Sequence, residues 1–450
     1  MLRRKAYDRL LEWKNRKHKC LVVSGQRQVG KTFIINAFGH DNYEHVVYLE
    51  LSSNETHRNY FVGDLEVDAI IQRMSIHIPS DDLVPGRTLI FMDGIQDCPA
   101  ARTSLKSFTI DGRYDVIASG SPLDVNTIGG KESDYLIPVG YEEHLTMHAL
   151  DFEEFLWSQG VRDDIMDLVR ECIADRKPID ASIDLSLRQF FAKYMIIGGM
   201  PEAVERFIET NSYLDTHAVL EDIITSTLSD INRYNDGKNA LKTAECYQSI
   251  PNQLAESNKR FKYSRLTDEG RKSFDRYVEN LLWIKMAGYG VFCYGIHEPV
   301  VPLKGSIIRD NFRIYLSDTG TLIHFYGEES MERILNGDTA CKMGAIAENA
   351  IATCLEKAGF PLTYYRVNKG DEMMEIDFVT EMRGGIVAIE VKSGKDRTAP
   401  SINKIGRYYD VRRIVLENGN IRVDENGIEH YPLYAAAFMR SMEPPSRLVR

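Results

Sequence analysis

Gly25 and Gly30 are separated by Gln26, Arg27, Gln28 and Val29 and followed by Lys31, Thr32 and Phe33. This is the spacing G-x-x-x-x-G-K-T, and each residue type has a chemical reason to stand there. The glycines let backbone N–H groups wrap phosphate oxygens, the lysine ammonium reaches the β- and γ-phosphates, and the threonine hydroxyl is a ligand for Mg²⁺. The apolar run at residues 20–24 reads as a buried strand leading into the loop. Phe33, Ile34, Ile35, Ala37 and Phe38 read as a helix leading out of it, so the loop falls at a helix N-terminus, whose dipole favours anions. Residues 25–33 are therefore the expected contacts for ATP, with Mg²⁺ as its cofactor.

A second acidic element completes that chemistry. Leu89, Ile90, Phe91 and Met92 are apolar and Asp93 closes the run. Asp93 is expected to hold Mg²⁺ together with Thr32. In many ATPases of this layout a glutamate follows the aspartate and polarises the attacking water. Gly94 stands there in this chain, and a glycine has no side chain to act as a base. Gln96, Asp97 or Glu50 would have to substitute, or the domain binds nucleotide as a switch and hardly hydrolyses it. Ser119, at the end of a further apolar run, is expected beside the γ-phosphate as a sensor or as an ordinary strand-end turn. Arg113, just before that run, reads either as an arginine finger toward a second copy in a homo-oligomer or as a solvated surface residue.

A carboxylate set lies in the last quarter of the chain. Asp377 begins one apparent strand, Glu390 and Lys392 lie on the next, and Glu348 is on the helix before them. Side chains alternate along a strand, so Glu390 and Lys392 share a face. This order resembles the PD-(D/E)xK restriction-endonuclease-like fold. The resemblance implies Asp377 and Glu390 as Mg²⁺ ligands, Lys392 as the group that orients or activates water, and Glu348 completing the metal shell. The alternative is a retired nuclease domain that packs, binds nucleic acid or binds a protein partner.

Taken together, these motifs resemble those of a broad group of prokaryotic AAA-type ATPases that carry an uncharacterised C-terminal region. The resemblance rests on residues 25–32, 91–96, 118–121, 150–156 and 198–201, on Glu375-Ile376-Asp377 and on Glu390-Val391-Lys392. It spans nearly the whole chain, and Gly94 departs from it, because the group usually has glutamate there.

These groups need a scaffold to hold them. Apolar strands at residues 20–24, 46–51, 88–93 and 114–119 alternate with helical segments, which predicts a parallel α/β sheet covered on both faces. The fold class expected is α/β: a P-loop NTPase of AAA type over residues 1–150, then a helical lid over 151–236, a winged-helix-like module over 237–330 and the restriction-endonuclease-like domain over 335–450. Within the winged-helix-like module, helices at residues 250–266 and 267–284 are expected, with short strands at 290–295 and 312–316 as the wing. Lys259, Arg260, Lys262 and Arg265 are interleaved with Phe261 and Tyr263, a mixture suited to DNA or RNA backbone and bases, or else an ordinary solvated loop. Pro444 and Pro445 mark a loose tail.

Composition limits the classes. At 450 residues several domains are expected. The net charge of -11 excludes a surface coated by nucleic acid but permits a local basic patch. The cysteines, Cys20, Cys98, Cys172, Cys246, Cys293, Cys341 and Cys354, are scattered with no C-x-x-C pair, which suits reduced thiols. Absence of a signal-like or membrane-spanning apolar run gives a cytoplasmic expectation, with no membrane partner.

Overall fold

Strand β1, Cys20–Ser24, is buried along its whole length. A run with no polar alternation demands cover on both faces, and neighbouring strands on either side supply its hydrogen bonds. The computed structural model describes residues 1–121, 140–235, 237–266, 273–336, 343–367, 373–394 and 399–443. Residues 267–272 of the second helix expected above, Cys341, Pro444 and Pro445 lie outside the described residues. The chain divides into two compact units, the first built on Arg3–Ala149 and the second on Leu150–Lys285 and the residues from Tyr289 onward.

In the first unit, helix α1 (Lys5–Lys14) precedes β1, and α2 (Lys31–Asn42) follows the glycine loop. Then come β2 (His45–Glu50), α3 (Glu55–Asn59), α4 (Val67–Met74), β3 (Thr88–Asp93), α5 (Pro99–Asp111), β4 (Asp115–Gly120) and β5 (Glu142–Thr146). The strands form one parallel sheet in the order β2-β3-β4-β1-β5. This is the expected P-loop NTPase architecture. Each fully buried Leu, Ile or Phe of this sheet is worth roughly 1.5–3 kcal/mol of transfer free energy. β5 was not foreseen. Its sequence, Glu-Glu-His-Leu-Thr, carries the charges of an edge strand rather than an apolar run. One of them, Glu142, turns inward and pairs with the buried Arg102 of α5 at 2.7 Å.

The second unit begins with helices, as expected: α6 (Phe152–Ser158), α7 (Asp163–Asp175), α8 (Ala181–Ile197), α9 (Pro201–Thr210) and α10 (Tyr213–Tyr234). Asp151 and Glu154 form a reciprocal capping box at the start of α6. The glycines at 198 and 199 have a steric cause. A Cβ on Gly199 would lie 2.1 Å from the Leu150 carbonyl oxygen, and Gly198 has φ +77 against the Asp318 carboxylate. Leu150 N–H donates to the Gly199 carbonyl at 2.7 Å, so two of the motifs behind the family resemblance meet in one contact.

Helices α11 (Gly237–Leu254) and α12 (Phe274–Ala287) lead to β6 (Gly290–Ile296) and β7 (Ile307–Leu316). After α13 (Thr319–Tyr326), α14 (Glu328–Leu335) and α15 (Met343–Lys357) come β8 (Thr363–Val367), β9 (Met374–Met382), β10 (Gly385–Lys392), α16 (Pro400–Ile405), β11 (Arg412–Glu417), β12 (Arg422–Val423) and β13 (Glu429–Pro432). All eight strands share one mixed sheet, ordered β12-β13-β11-β10-β9-β8-β6-β7. The hairpin expected as a separate wing is therefore the end of the sheet that carries the carboxylates. β6 pairs in parallel with β8, so the strands expected as a wing hydrogen-bond into the sheet of the last region. The physical reason is burial. Val291, Cys293, Phe312, Ile314 and Leu316 are core residues, and a solvated wing would leave them wet. α15 is buried nearly all round, and its Asn349 amide exchanges two hydrogen bonds with the Leu316 backbone at the end of β7.

Candidate functional site

In the first unit the sheet delivers the loop and the acidic strand end side by side. β4 lies between β1 and β3, so the carboxyl ends of all three strands open toward one edge of the sheet. Gly25 is held against Met147, whose carbonyl oxygen would lie 2.1 Å from any Cβ added there. Gly30, at φ 89, caps α2 in the left-handed conformation, and Gln28 also has positive φ at 63. Val29 is fully buried and anchors the loop from below. The Lys31 ammonium donates to the carbonyls of Gly25 at 2.6 Å and Gln26 at 2.9 Å, inside the curl of the loop. Arg27 and Gln26 are half-buried, Gln28 is exposed, and Phe33 is 60% exposed on the first turn of α2.

Asp93 is the hub of this edge. Thr32 donates its hydroxyl to Asp93 Oδ2 at 2.8 Å and Tyr48 donates to the same oxygen at 3.1 Å. Ser119 donates to Oδ1. Burial and the neighbouring Asp93 carboxylate push the Tyr48 phenol up to about 12, so it stays protonated and a donor. A hydroxyl beside an ionised carboxylate is the hard-oxygen donor set that Mg²⁺ takes, with phosphate oxygens and water filling the remaining positions. Thr32 and Asp93 thus fit the ion the sequence implies.

The base position is a different matter. Gly94 adopts φ +76, and a Cβ there would meet the Ser52 hydroxyl oxygen at 2.2 Å. Ser52 donates to Asp97 Oδ2 at 2.7 Å, and Gln96 Nε2 donates to the same oxygen at 3.1 Å. Glu50 accepts from the Ser53 N–H at 2.8 Å and from its hydroxyl, and these bonds hold its carboxyl below the usual range. Both carboxylates offered as substitutes are thus engaged by serines. Arg113 is bound to Asp111 and Asp68, as a surface residue would be. Arg4 was missed by sequence reasoning. Its buried guanidinium donates to the Val29 carbonyl at 2.9 Å and the His148 carbonyl at 2.6 Å, tying the loop to the chain beyond β5. Its place near the N-terminus gave no periodic signal.

In the second unit the sequence-derived carboxylates come together. Glu348 on α15, Asp377 on β9, and Glu390 with Lys392 on β10 influence one another electrostatically. Asp377 Oδ2 accepts the Val391 N–H at 3.0 Å, and Lys392 Nζ lies 3.0 Å from Glu390 Oε1. Burial, then the Asp377 charge, pushes the Glu390 carboxyl up to about 8, and the same two causes raise Glu348.

Two cations that sequence reasoning did not place here occupy the cluster. Arg313 of β7 is 1% exposed. It pairs with Glu375, and its Nη1 lies 3.8 Å from Asp377 and 4.0 Å from Glu348. The Tyr364 ring supports it at 4.1 Å. Lys259 pairs with Glu348. A guanidinium fixed among the carboxylates supplies the positive charge a divalent ion would otherwise bring. Among the described residues no group of three or more His, Cys, Asp or Glu is arranged to hold a metal. The Mg²⁺ ligation implied for Asp377 and Glu390 does not fit this arrangement.

Most of the basic and aromatic cluster expected to touch nucleic acid is also spent internally, with Arg260 left exposed. Lys262 pairs with Glu256, Arg265 Nε lies 2.7 Å from the same carboxylate, and Phe261 is buried against Phe312. Rings packed this way cannot stack on bases.

No helix among the described residues is long and apolar enough to cross a membrane. Family comparison matches an "AAA domain" over residues 17–156, a "Domain of unknown function (DUF8612)" over 188–332 and a "Domain of unknown function (DUF4143)" over 343–435. No curated protein matches. Among solved structures, a Walker-type ATPase of Pyrococcus abyssi aligns at 12% identity over 73% of this chain and 96% of its own, with a TM-score of 0.41, too low for the likeness to carry an argument. Residues 17–156, which hold the glycine loop, Asp93 and Ser119, are an AAA-type, P-loop ATPase-like domain.

Proposed function

We propose that the first unit binds ATP with Mg²⁺ through residues 25–33 and turns it over slowly, and that its nucleotide state governs nucleic-acid binding by the nuclease-like second unit. The observation that carries the first part is the convergence of the Thr32, Tyr48 and Ser119 hydroxyls on the Asp93 carboxylate beside the loop. Lys31 exchanges its two neutral carbonyl partners for the phosphates, whose negative charge makes the stronger partner for an ammonium. Thr32 and Asp93 hold the metal ion, which neutralises phosphate charge when bound. Tyr48 and Ser119 keep the Asp93 carboxylate oriented. Phe33, exposed beside the loop, offers a face to the base. Slow turnover follows from Gly94 and from the serine partners of Asp97 and Glu50, which leave no poised base for the attacking water.

Equilibrium binding and steady-state turnover of Mg·ATP by the full chain, beside Lys31→Ala, test this reading. Expected are binding that Lys31→Ala removes and turnover well below the ~10 s⁻¹ typical of enzymes. Turnover at or above that rate would sink the slow-hydrolysis part.

A further inference from the structure

Beside the carboxylate cluster, β8, β9, α16 and β11 enclose an open, polar groove of about 920 Å³. Arg366, Lys404, Arg407 and Arg413 line it, with Glu375 as its carboxylate. In a chain of net charge -11 this set is not an average stretch of surface. Lys404, Arg407 and Arg413 lie within ten residues of one another, and the fold brings Arg366 of β8 to them.

The lining is also built rather than merely crowded. Glu375 is engaged by Arg366 Nε at 3.4 Å and by the buried Arg313. Its charge is shared by Arg366 and Arg313, so Lys404, Arg407 and Arg413 carry the groove's positive character. Arg413 lies across Gly406, where a Cβ would approach its guanidinium to 2.9 Å, and it donates to the Asn426 carbonyl. Lys404 Nζ donates to the Met373 carbonyl at 3.3 Å, and Arg407 is exposed at the rim. The groove is open and cationic, unlike the enclosed, mostly apolar pockets that take small ligands.

We propose that this groove binds the phosphodiester backbone of a nucleic-acid strand. The proposal rests on the reading of the second unit as a nucleic-acid-binding domain and names its contact surface. Its lining does not include residues 259–265, where Lys259, Lys262 and Arg265 are answered by Glu348 and Glu256. Backbone contacts of this kind carry no sequence information, so binding is expected to be indifferent to sequence and steeply dependent on salt.

The test is fluorescence anisotropy of the full chain with single-stranded DNA and RNA of one sequence, about 20 nucleotides long, at about 50 and 200 mM salt. It compares wild type, the double variant Lys404→Glu/Arg407→Glu, and Arg260→Glu. Circular dichroism and thermal melting of each variant check that the second unit is folded. The double variant should bind at least about ten-fold more weakly, with its log–log salt slope shallower by about 1.4, or roughly 0.7 for each lost phosphate contact. Arg260→Glu should change affinity less than about two-fold. DNA and RNA arms that agree mark the backbone as the shared ligand. Unchanged binding in the double variant would overturn the groove and leave the nucleic-acid reading standing. No binding of either strand by wild type at the lower salt overturns both. Displacement by poly-glutamate at equal charge would overturn the groove as a phosphodiester site and make it a site for acidic peptides.

Discussion

Ser52 holds its hydroxyl 2.2 Å from where a Cβ on Gly94 would have to lie, and donates that hydroxyl to Asp97. The glycine at the usual base position is therefore part of a packed turn with φ +76, not a simple deletion of a side chain.

It follows that Gly94→Glu will not restore hydrolysis. A non-glycine residue in the left-handed region costs roughly 1–2 kcal/mol. The Ser52 overlap adds strain, typically about 1–3 kcal/mol where packing is tight. Thermal melting should show a clear loss of stability, partly recovered in Gly94→Glu/Ser52→Ala. A Gly94→Glu variant that melts like wild type and turns over ATP about ten-fold faster would show that the turn yields easily and that the base alone was missing.

Arg4→Ala should weaken ATP binding without touching the nucleotide directly. Its guanidinium holds the Val29 and His148 carbonyls, and hydrogen bonds to a charged group are worth about 1.5–3 kcal/mol each. Part of that loss should appear in the loop as an affinity about three- to ten-fold lower, read by calorimetry. Arg4→Lys should recover little, because one ammonium cannot span both carbonyls as the forked guanidinium does. An unchanged affinity in Arg4→Ala would mean the loop is preorganised by Val29 and Gly25 alone.

Removing the buried cation of the carboxylate cluster should be costly. Arg313→Met leaves Glu348, Glu375 and Asp377 without their shared partner, and breaking such buried pairs costs about 3–5 kcal/mol. Urea titration would read that loss. In wild type without nucleotide, Mn²⁺ should produce no saturable rise in melting temperature traceable to this cluster. A rise that vanishes in Asp377→Ala would show that a divalent ion displaces Arg313 after all.

Glu390 predicts a pH dependence. Burial first, and the Asp377 charge second, push its carboxyl up to about 8 in the folded chain. A carboxyl raised on folding binds its proton more tightly in the native state than in the unfolded chain, where it titrates near 4.3. The stability it contributes is fully present below the unfolded value and is lost as pH rises through about 8. Melting temperatures between about pH 5 and 9 should therefore fall less steeply in Glu390→Gln than in wild type. Parallel profiles would mean that Glu390 is already ionised at neutral pH, paired with Lys392.

Residues close together in the sequence were the ones the sequence could read. The glycine loop, the apolar strands ending at Ser24, Asp93 and Ser119, and the alternation that puts Glu390 and Lys392 on one face all follow from local spacing and backbone geometry. Tertiary structure decided which charges meet. Arg313 and Lys259 reach Glu348 across 35 and 89 residues, and an inward arginine on β7 looks in sequence like any solvated one. Likewise, only the packed turn shows that Ser52 makes Gly94 a steric requirement. The charged edge strand β5 and the joining of β6–β7 to the carboxylate sheet depend on long-range pairing, which leaves no periodic trace in either partner. Local pattern fixes where backbone groups go, whereas the partners of a buried charge are fixed by which distant segments exclude water around it.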